Sequence, residues 1–438
     1  MDPAALAGLI LVVGIAVFLL IGAPISVGVG LSATLAMFVI LGIENGVLTA
    51  AQQVFRGINS FPLLAIPFFV LAGVIMNNGG IALRLINAAK VMVGKMPGSL
   101  AQTNVAANAL FGAVSGSAVA VAAAAAIGST MGPLQAKEGY DKRFAAAVNI
   151  ASAPSGMLIP PSNLMIVYSL VSSTSVAALF VAGYVPGLLW AATCMVIVYL
   201  YARNRRELRF TDKISLAQGA KTLLIAVPAL LLIVVVIGGI LAGYFTPTEG
   251  ACIAVLYSLA LSFIYRSIKV KQLPGILMDA ARTTAVVMFL IGVSSIMGFV
   301  LSFAKIPAMV SSAMFGISDN PVVLLLMIAF VLLIVGCFMD PTPAVLIFTP
   351  IFLPIVMSFG INPVHFGIMM VFNLCIGTIT PPVGPVLFVG AKVAGVSIED
   401  VFRRLLPFFA ALIVMLMIVI FTPGLSLWLP TTLGLLTP

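Results

Sequence analysis

The chain has 438 residues, of which 62% are hydrophobic and only 8% are charged, and its mean hydropathy is +1.25. This composition excludes a water-soluble globule of ordinary make-up and predicts a single polytopic membrane domain over residues 1–438. The net charge of +9 would suggest a nucleic-acid partner in a soluble protein. In a membrane protein an excess of basic residues mainly marks the loops on the cytoplasmic side. We therefore expect membrane lipids and no nucleic acid as partners.

Apolar runs of about 20 residues divide the chain into predicted spans. The first two lie within residues 5–41, a loop follows over 42–60, and a third span begins directly after it. An amphipathic basic segment over 81–96 suits a helix along the cytoplasmic surface. Two further spans are expected within 222–265.

Two stretches, residues 98–135 and 321–358, are each predicted to fold back at the centre as a pair of half-length helices. If both return to their side of entry, all 21 basic residues except Arg56 and Lys305 lie on one side of the membrane. Cytoplasmic loops carry the lysine and arginine excess, so that side is the cytoplasm. The N- and C-termini are then periplasmic.

Two more stretches, residues 144–171 and 363–393, are apolar but interrupted. The first contains SAPSGMLIPPS over 152–162, and the second contains GTITPPVGP over 377–385. Proline and glycine at these places break a helix. We therefore predict two discontinuous helices.

The order of motifs recurs in the chain. SGS at 115–117, Pro160-Pro161 and SVAALF are followed later by MDPT at 339–342, Pro381-Pro382 and SIEDVF, at similar spacing. This predicts a first repeat over about 61–202 and a second over about 280–421, with the spans within 5–41 and 222–265 as a scaffold. Because the two hairpins enter from opposite sides, the fold class is an all-α polytopic membrane protein with inverted repeats, which is typical of secondary transporters.

Asp340 is the only carboxylate inside a predicted hairpin. Intramembrane charges are usually functional, so we predict an ion or coupling site here, with an N-cap as the alternative. Ser115 and Ser117 could offer oxygen atoms to sodium or could simply permit close helix contact. The hydroxyl groups at the breaks could ligate an ion or satisfy freed backbone groups. They belong to Ser155, Ser162, Thr342, Thr378 and Thr380.

Other polar residues have simpler interpretations. Asn149 and Asn163 flank the first interruption, where bridging between helices is slightly favoured over ligand contact. His365 is expected at the outer membrane interface, and Glu249 is expected to cap the next helix. No nucleotide-binding motif is found, so transport energy is expected from an ion gradient or a partner.

Several motifs together resemble the large membrane subunit of the tripartite ATP-independent periplasmic (TRAP) transporters. They are PGSLAQTNVAANALFGAVSGSA, GYDKRFAAAV, IPPSN, FTPTEGA, GCFMDPTPAVLIFTPIFLPI, NPVHFG and GTITPPVG. The resemblance implies an elevator-type importer of small organic acids in the bacterial inner membrane, driven by sodium as the coupling ion and without another cofactor. It also implies two partners, a small four-helix membrane subunit and a periplasmic substrate-binding protein.

With this resemblance, the predicted substrate and ion region comprises the hairpin tips and the helix breaks. Its residues are Ser115, Gly116, Ser117, Ser155, Gly156, Pro160, Pro161, Ser162, Asp340, Thr342, Thr378, Thr380, Pro381 and Pro382. The sodium candidates among them are Ser115, Ser117, Asp340, Thr342 and Thr380.

Two other functional classes stay open. A stand-alone anion symporter coupled to sodium or protons would transport without a binding protein. A membrane-embedded enzyme or structural scaffold is more distant, because one histidine and one deep carboxylate offer little for catalysis.

Overall fold

Helices form the regular structure of this chain. The computed structural model describes residues 3–94, 96–115, 120–205, 208, 216–318, 320–381 and 383–436, and these contain twenty α-helices, two short 3₁₀-helices and no β-strand. The first ten helices are α1 Pro3–Leu20, α2 Ile25–Ile58, α3 Ala65–Asn78, α4 Ile81–Val93, α5 Ser99–Ser115, α6 Ala120–Lys137, α7 Lys142–Ser152, α8 Ser155–Leu158, α9 Asn163–Ser172 and α10 Val176–Ala202. The second ten are α11 Leu216–Leu241, α12 Pro247–Ile264, α13 Leu273–Phe303, α14 Ile306–Phe315, α15 Pro321–Phe338, α16 Pro341–Ser358, α17 Pro363–Gly377, α18 Pro385–Ala394, α19 Ile398–Phe421 and α20 Gly424–Thr432.

Two groups of helices can be distinguished by their contacts. In the first, which we call the scaffold group, α2 packs on α1 and α13, α12 packs on α3, and α11 packs on α4 and α12. The second, the core group, comprises α5 to α10 and α15 to α20. The groups meet mainly where α4 contacts α5 and where α13 contacts α16.

Helix α17 lies at the centre of the core group. Every residue from Val364 to Gly377 is buried. A helix that is apolar all round must be enclosed by others, and α17 is surrounded by α8, α9, α10, α15, α16, α19 and α20. The start of the second helix break, Thr378 and Ile379, is thereby buried.

Two breaks interrupt helices of the core group. The first break, residues 153–162, lies between α7 and α9 and contains the single turn α8. The chain bends by 44° between Lys142–Leu158 and Asn163–Ser172. The second break, residues 378–384, lies between α17 and α18. Both breaks contain proline, which has no N–H to donate and leaves helix carbonyls unpartnered.

The prediction of a loop over residues 42–60 is wrong. Helix α2 continues to Ile58, and it changes direction at Gly42, which has φ 74° and ψ 171°. Glycine reaches positive φ without steric cost, so the helix can turn there and resume. The Glu, Gln and Arg residues that follow are polar, which resembles a loop, but all are good helix formers.

His365 is buried between helices, and its place at the outer membrane interface stays a prediction. The side chain is only 2% exposed, because α20 covers the start of α17. Its Nδ1 lies 2.7 Å from Ser426 Oγ, and its Nε2 lies 3.2 Å from the Ile420 carbonyl oxygen. The histidine therefore links α17 to the C-terminal helices.

The predicted cap by Glu249 is confirmed. Glu249 Oε2 accepts a hydrogen bond from the Thr246 backbone N–H at 2.7 Å, and Thr246 Oγ1 accepts one from the Glu249 N–H at 3.3 Å. This reciprocal capping box satisfies two backbone donors at the start of α12.

We expect Thr246→Ala to lower the free energy of unfolding by about 1 kcal/mol, since the N-cap acceptor is lost. Thermal unfolding of the purified protein measures the effect. Thr222→Ala is the control, because its exposed hydroxyl only donates to the Gln218 carbonyl within α11. Equal melting temperatures for the two variants would contradict the capping role.

Candidate functional site

A cavity of about 430 Å³ lies between the two groups of helices. The scaffold group contributes the start of α2 and the middle of α13, and the core group contributes both breaks and the start of α16. The polar side chains that line it belong to Ser26, Ser162, Asn163, Thr283, Asp340, Thr342 and Thr378. Among the described residues, no lysine or arginine lines this cavity.

Four helices begin at the cavity wall: α2, α9, α16 and α18. Their N-cap residues are Pro24, Ser162, Asp340 and Gly384, and none of these forms a side-chain cap. The first N–H groups of α2 and α9 have no partner within the helix and carry partial positive charge. In α16, Pro341 and Pro343 have no N–H to offer, and in α18 the Val386 and Leu387 N–H groups donate to the Thr378 carbonyl oxygen at 3.1 and 3.4 Å. The cavity can therefore bind an anion through backbone N–H groups without any basic side chain.

Asp340 is exposed to this cavity and is its only carboxylate among the described residues. It occupies the N-cap position of α16, but its side chain caps no backbone N–H. The structure therefore does not support the N-cap alternative. The carboxylate remains available to bind a cation or a substrate group.

The hydroxyl groups at the breaks donate hydrogen bonds to backbone carbonyl oxygens. Ser162 donates to Met157 at 2.6 Å, and Thr378 donates to Cys375 at 2.7 Å. Thr380 donates to Ile376 and Ser155 to Ser152, both at 2.7 Å. These bonds satisfy the backbone groups freed by the breaks. Because each hydroxyl proton is already donated to a carbonyl, the remaining lone pairs of the hydroxyl oxygens can bind a cation.

The structure brings some of the predicted site residues together. Ser162, Asp340, Thr342 and Thr378 line the cavity. Ser155, Gly156, Pro160 and Pro161 are buried at the first break, away from the cavity surface, while Thr380 and Pro381 are partly exposed at the second break. Ser115 is the last residue of α5, whereas Gly116, Ser117 and Pro382 lie outside the described residues.

Each break packs against the end of a helix at a contact between two glycines. Gly112 of α5 touches Gly156 of the first break, and Gly336 of α15 touches Gly377 before the second break. A Cβ on Gly156 would lie 2.7 Å from Gly112 Cα, and one on Gly336 would lie 3.1 Å from Gly377 Cα. These contacts are too close for any larger residue without movement of the backbone.

Sequence reasoning missed the scaffold side of the cavity. Ser26 and Thr283 are ordinary uncharged residues in apolar helices, so no sequence signal marked them. Asn163 was favoured as a bridge between helices, but its Oδ1 is buried without a hydrogen-bond partner and the residue lines the cavity. Its position directly after the IPPS motif was the one available signal.

The described residues include nine helices that are long and apolar enough to cross a membrane, so this is a multi-pass membrane protein. Comparison with known families matches residues 12–425 to the tripartite ATP-independent periplasmic transporter, DctM component. The chain belongs to this family. The TRAP resemblance predicted from the motifs is confirmed.

Relatives cover almost the whole chain. A protein of Salmonella typhimurium known as uncharacterized protein YgiK is 51% identical over 95% of this chain and 95% of its own length. The C4-dicarboxylate TRAP transporter large permease protein DctM of Pseudomonas aeruginosa is 41% identical over 91% and 93%. In both relatives the similarity extends over more than nine tenths of each chain.

The fold is also similar to a solved transporter structure. The Alcanivorax borkumensis YdaH transporter superposes with a TM-score of 0.62 over 89% of this chain and 90% of its own. The sequence identity is only 13%, so this likeness concerns the fold alone. It confirms the all-α polytopic transporter fold class.

Proposed function

We propose that this chain is the large permease subunit of a binding-protein-dependent transporter that imports small organic acids with sodium. The observation that carries the proposal is the convergence of four helix N-termini, with free N–H groups at the starts of α2 and α9, on one cavity without lysine or arginine among its described lining residues. Such a site binds a carboxylate through N–H groups and helix dipoles. The P. aeruginosa relative, whose name specifies C4-dicarboxylates, supports the same substrate class.

Sodium is the proposed coupling ion. Asp340 supplies a negative charge at the cavity, and the hydroxyl oxygens of Thr342 and Thr378 line the same wall. Hard cations prefer carboxylate, hydroxyl and carbonyl oxygens. Sodium bound there would also offset the repulsion between Asp340 and an anionic substrate, which gives positive coupling between the two.

The proposed mechanism moves the core group against the scaffold group. The cavity lies at their boundary, so such a movement would carry the substrate site across the membrane. The two glycine contacts support the predicted inverted repeats, since Gly112 and Gly336 each precede a hairpin tip by similar distances. Location in the bacterial inner membrane, with periplasmic termini, follows from the predicted orientation and the family.

The family is described as tripartite, which supports two partner proteins. We propose a separate small membrane subunit of four helices and a periplasmic substrate-binding protein. The binding protein would select the acid and deliver it to the cavity.

Uptake of labelled succinate into proteoliposomes tests this function. We expect accumulation that needs an inward sodium gradient, the small subunit and the binding protein together with this chain. Equal uptake by this chain alone would instead support a stand-alone symporter. Uptake that is independent of the sodium gradient would contradict sodium coupling.

A further inference from the structure

A second cavity, of about 380 Å³, lies wholly within the core group. It is enclosed by helices α5, α6, α7 and α18, and among the described residues it shares no lining residue with the first cavity. Under the orientation predicted from the basic residues, it faces the cytoplasm, with the exposed Lys142 at its mouth. The proposed substrate site does not use it.

Two fully buried amide side chains line this second cavity and each has one atom without a partner. Asn104 is 1% exposed and its Nδ2 is unpaired, while Gln135 is 0% exposed and its Oε1 is unpaired. Gln135 Nε2 donates to the Leu100 carbonyl at 3.2 Å, which fixes the orientation of the amide. An unpartnered buried amide atom costs free energy unless a mobile species such as water or an ion can reach it.

A hydrogen-bonded chain leads from this cavity to the first break. Asn108 Nδ2 lies 2.8 Å from Asn104 Oδ1, 3.2 Å from Asn149 Oδ1 and 2.9 Å from Ser152 Oγ. The Ser152 carbonyl in turn accepts from Ser155 Oγ at 2.7 Å. The chain therefore ends at one of the predicted site residues of the first break.

Several acceptor oxygens along this path are available to a cation. Asn108 Oδ1 is buried without a partner, as is Gln135 Oε1. Pro133 in α6 has no N–H, so the carbonyl of Ser129, which lines the cavity, lacks its helical partner. Ser152 Oγ donates its proton to the Val148 carbonyl at 2.7 Å and offers only lone pairs to the path.

We propose that the second cavity is the exit by which a small cation, sodium, passes between the first break and the cytoplasm. The cation thus leaves through the interior of the core group, and the substrate leaves through the boundary between the two groups. This inference rests on the proposed sodium coupling. The sodium route to the cytoplasm is then lined by the residues of the second cavity and of the hydrogen-bonded chain.

The structure offers a substitution that fills this cavity without a clash against the surrounding helices. A Cβ on Gly132 meets no atom within 4 Å, and Gly132 lines the cavity in the middle of α6. Gly132→Leu therefore obstructs the path. Its Cβ also meets the ring of the following Pro133, a contact that any residue larger than glycine makes at this position. Gly132→Ser keeps the path open and polar. Gly238→Leu is the matched control, because Gly238 is an exposed glycine of α11 with equal space around it.

A native tryptophan reports on the first break. Trp190 is fully buried, and its Nε1 donates to the Ala151 carbonyl at 2.8 Å. The other tryptophan, Trp428, is 62% exposed and can be replaced by phenylalanine. Stopped-flow fluorescence of the Trp428→Phe protein in nanodiscs, with its small subunit, then gives the rates of sodium association and dissociation.

We expect Gly132→Leu to slow both rates by at least about tenfold, which corresponds to roughly 1.4 kcal/mol of added barrier. The midpoint of the sodium titration should not change, because an obstructed path alters rates and not the site. Gly132→Ser and Gly238→Leu should keep wild-type rates.

Unchanged rates in Gly132→Leu, or equal slowing in Gly132→Ser, would overturn the exit path while sodium coupling stands. A shifted midpoint with unchanged rates of association would also overturn it. If the parent protein shows no fluorescence response to sodium and no sodium-dependent uptake, the proposed function fails as well, which separates the two outcomes.

Discussion

Asp340→Asn is expected to raise the sodium concentration for half-maximal uptake by roughly 10- to 100-fold. The substitution keeps the size and the hydrogen-bonding ability of the side chain but removes its charge. A charge-assisted interaction contributes about 1.5–3 kcal/mol, and 1.4 kcal/mol corresponds to a factor of ten. Because no other described carboxylate lines the cavity, no neighbour can replace Asp340.

The measurement is succinate uptake into proteoliposomes with both partner proteins over a series of sodium concentrations. Asp279→Asn is a matched control, because Asp279 is exposed on α13 outside the cavity. We expect the control to behave as wild type. An Asp340→Asn protein with an unchanged sodium dependence would remove Asp340 from the coupling site.

Gly377→Ala is expected to destabilise the protein by about 1–3 kcal/mol and to abolish most uptake, because overpacking a tight contact forces the backbone to shift. The added Cβ would lie 2.6 Å from the Gly336 carbonyl oxygen. The neighbour is backbone at a helix end, so it cannot yield by a change of rotamer. Displacement of α15 would move Asp340, which follows Gly336 by four residues.

Thermal unfolding of the purified protein and succinate uptake measure this effect. Gly298→Ala is the control, because its Cβ would meet no atom within 4 Å and alanine favours the helix. Gly336→Ala should be milder than Gly377→Ala, since its nearest contact is at 3.1 Å. Normal stability and uptake of Gly377→Ala would show that the two segments can separate without loss of function.

Much of the fold was predictable from local chemistry. The apolar runs identified the spans, and the family motifs, confirmed by the match over residues 12–425, identified the TRAP permease. Where a helix starts with Thr-Pro-Thr-Glu, the capping box follows from residue type and spacing alone. The same local reasoning failed over residues 42–60, because polar helix formers at a membrane edge look like a loop when read without their packing.

Only the core-group side of the site, where the helices are interrupted, was predictable. Proline and glycine at the breaks, and the lone charge of Asp340, stand out against apolar sequence. Ser26 and Thr283 do not, although they complete the cavity. The burial of His365 left no signal near it in the sequence, because the covering helix α20 comes about 60 residues later in the chain.

The amino-acid sequence by itself determined that this is a membrane-spanning protein, which family it belongs to and where its helices can break. The spans and the breaks follow from hydropathy and from the missing N–H of proline, which act within a few residues, and the family follows from its motifs. Only the tertiary structure decided which glycines touch, that four helix ends share one cavity, and that a second polar cavity lies within the core group. These depend on packing between segments far apart in the chain, and small or uncharged residues leave no sequence signal of such contacts.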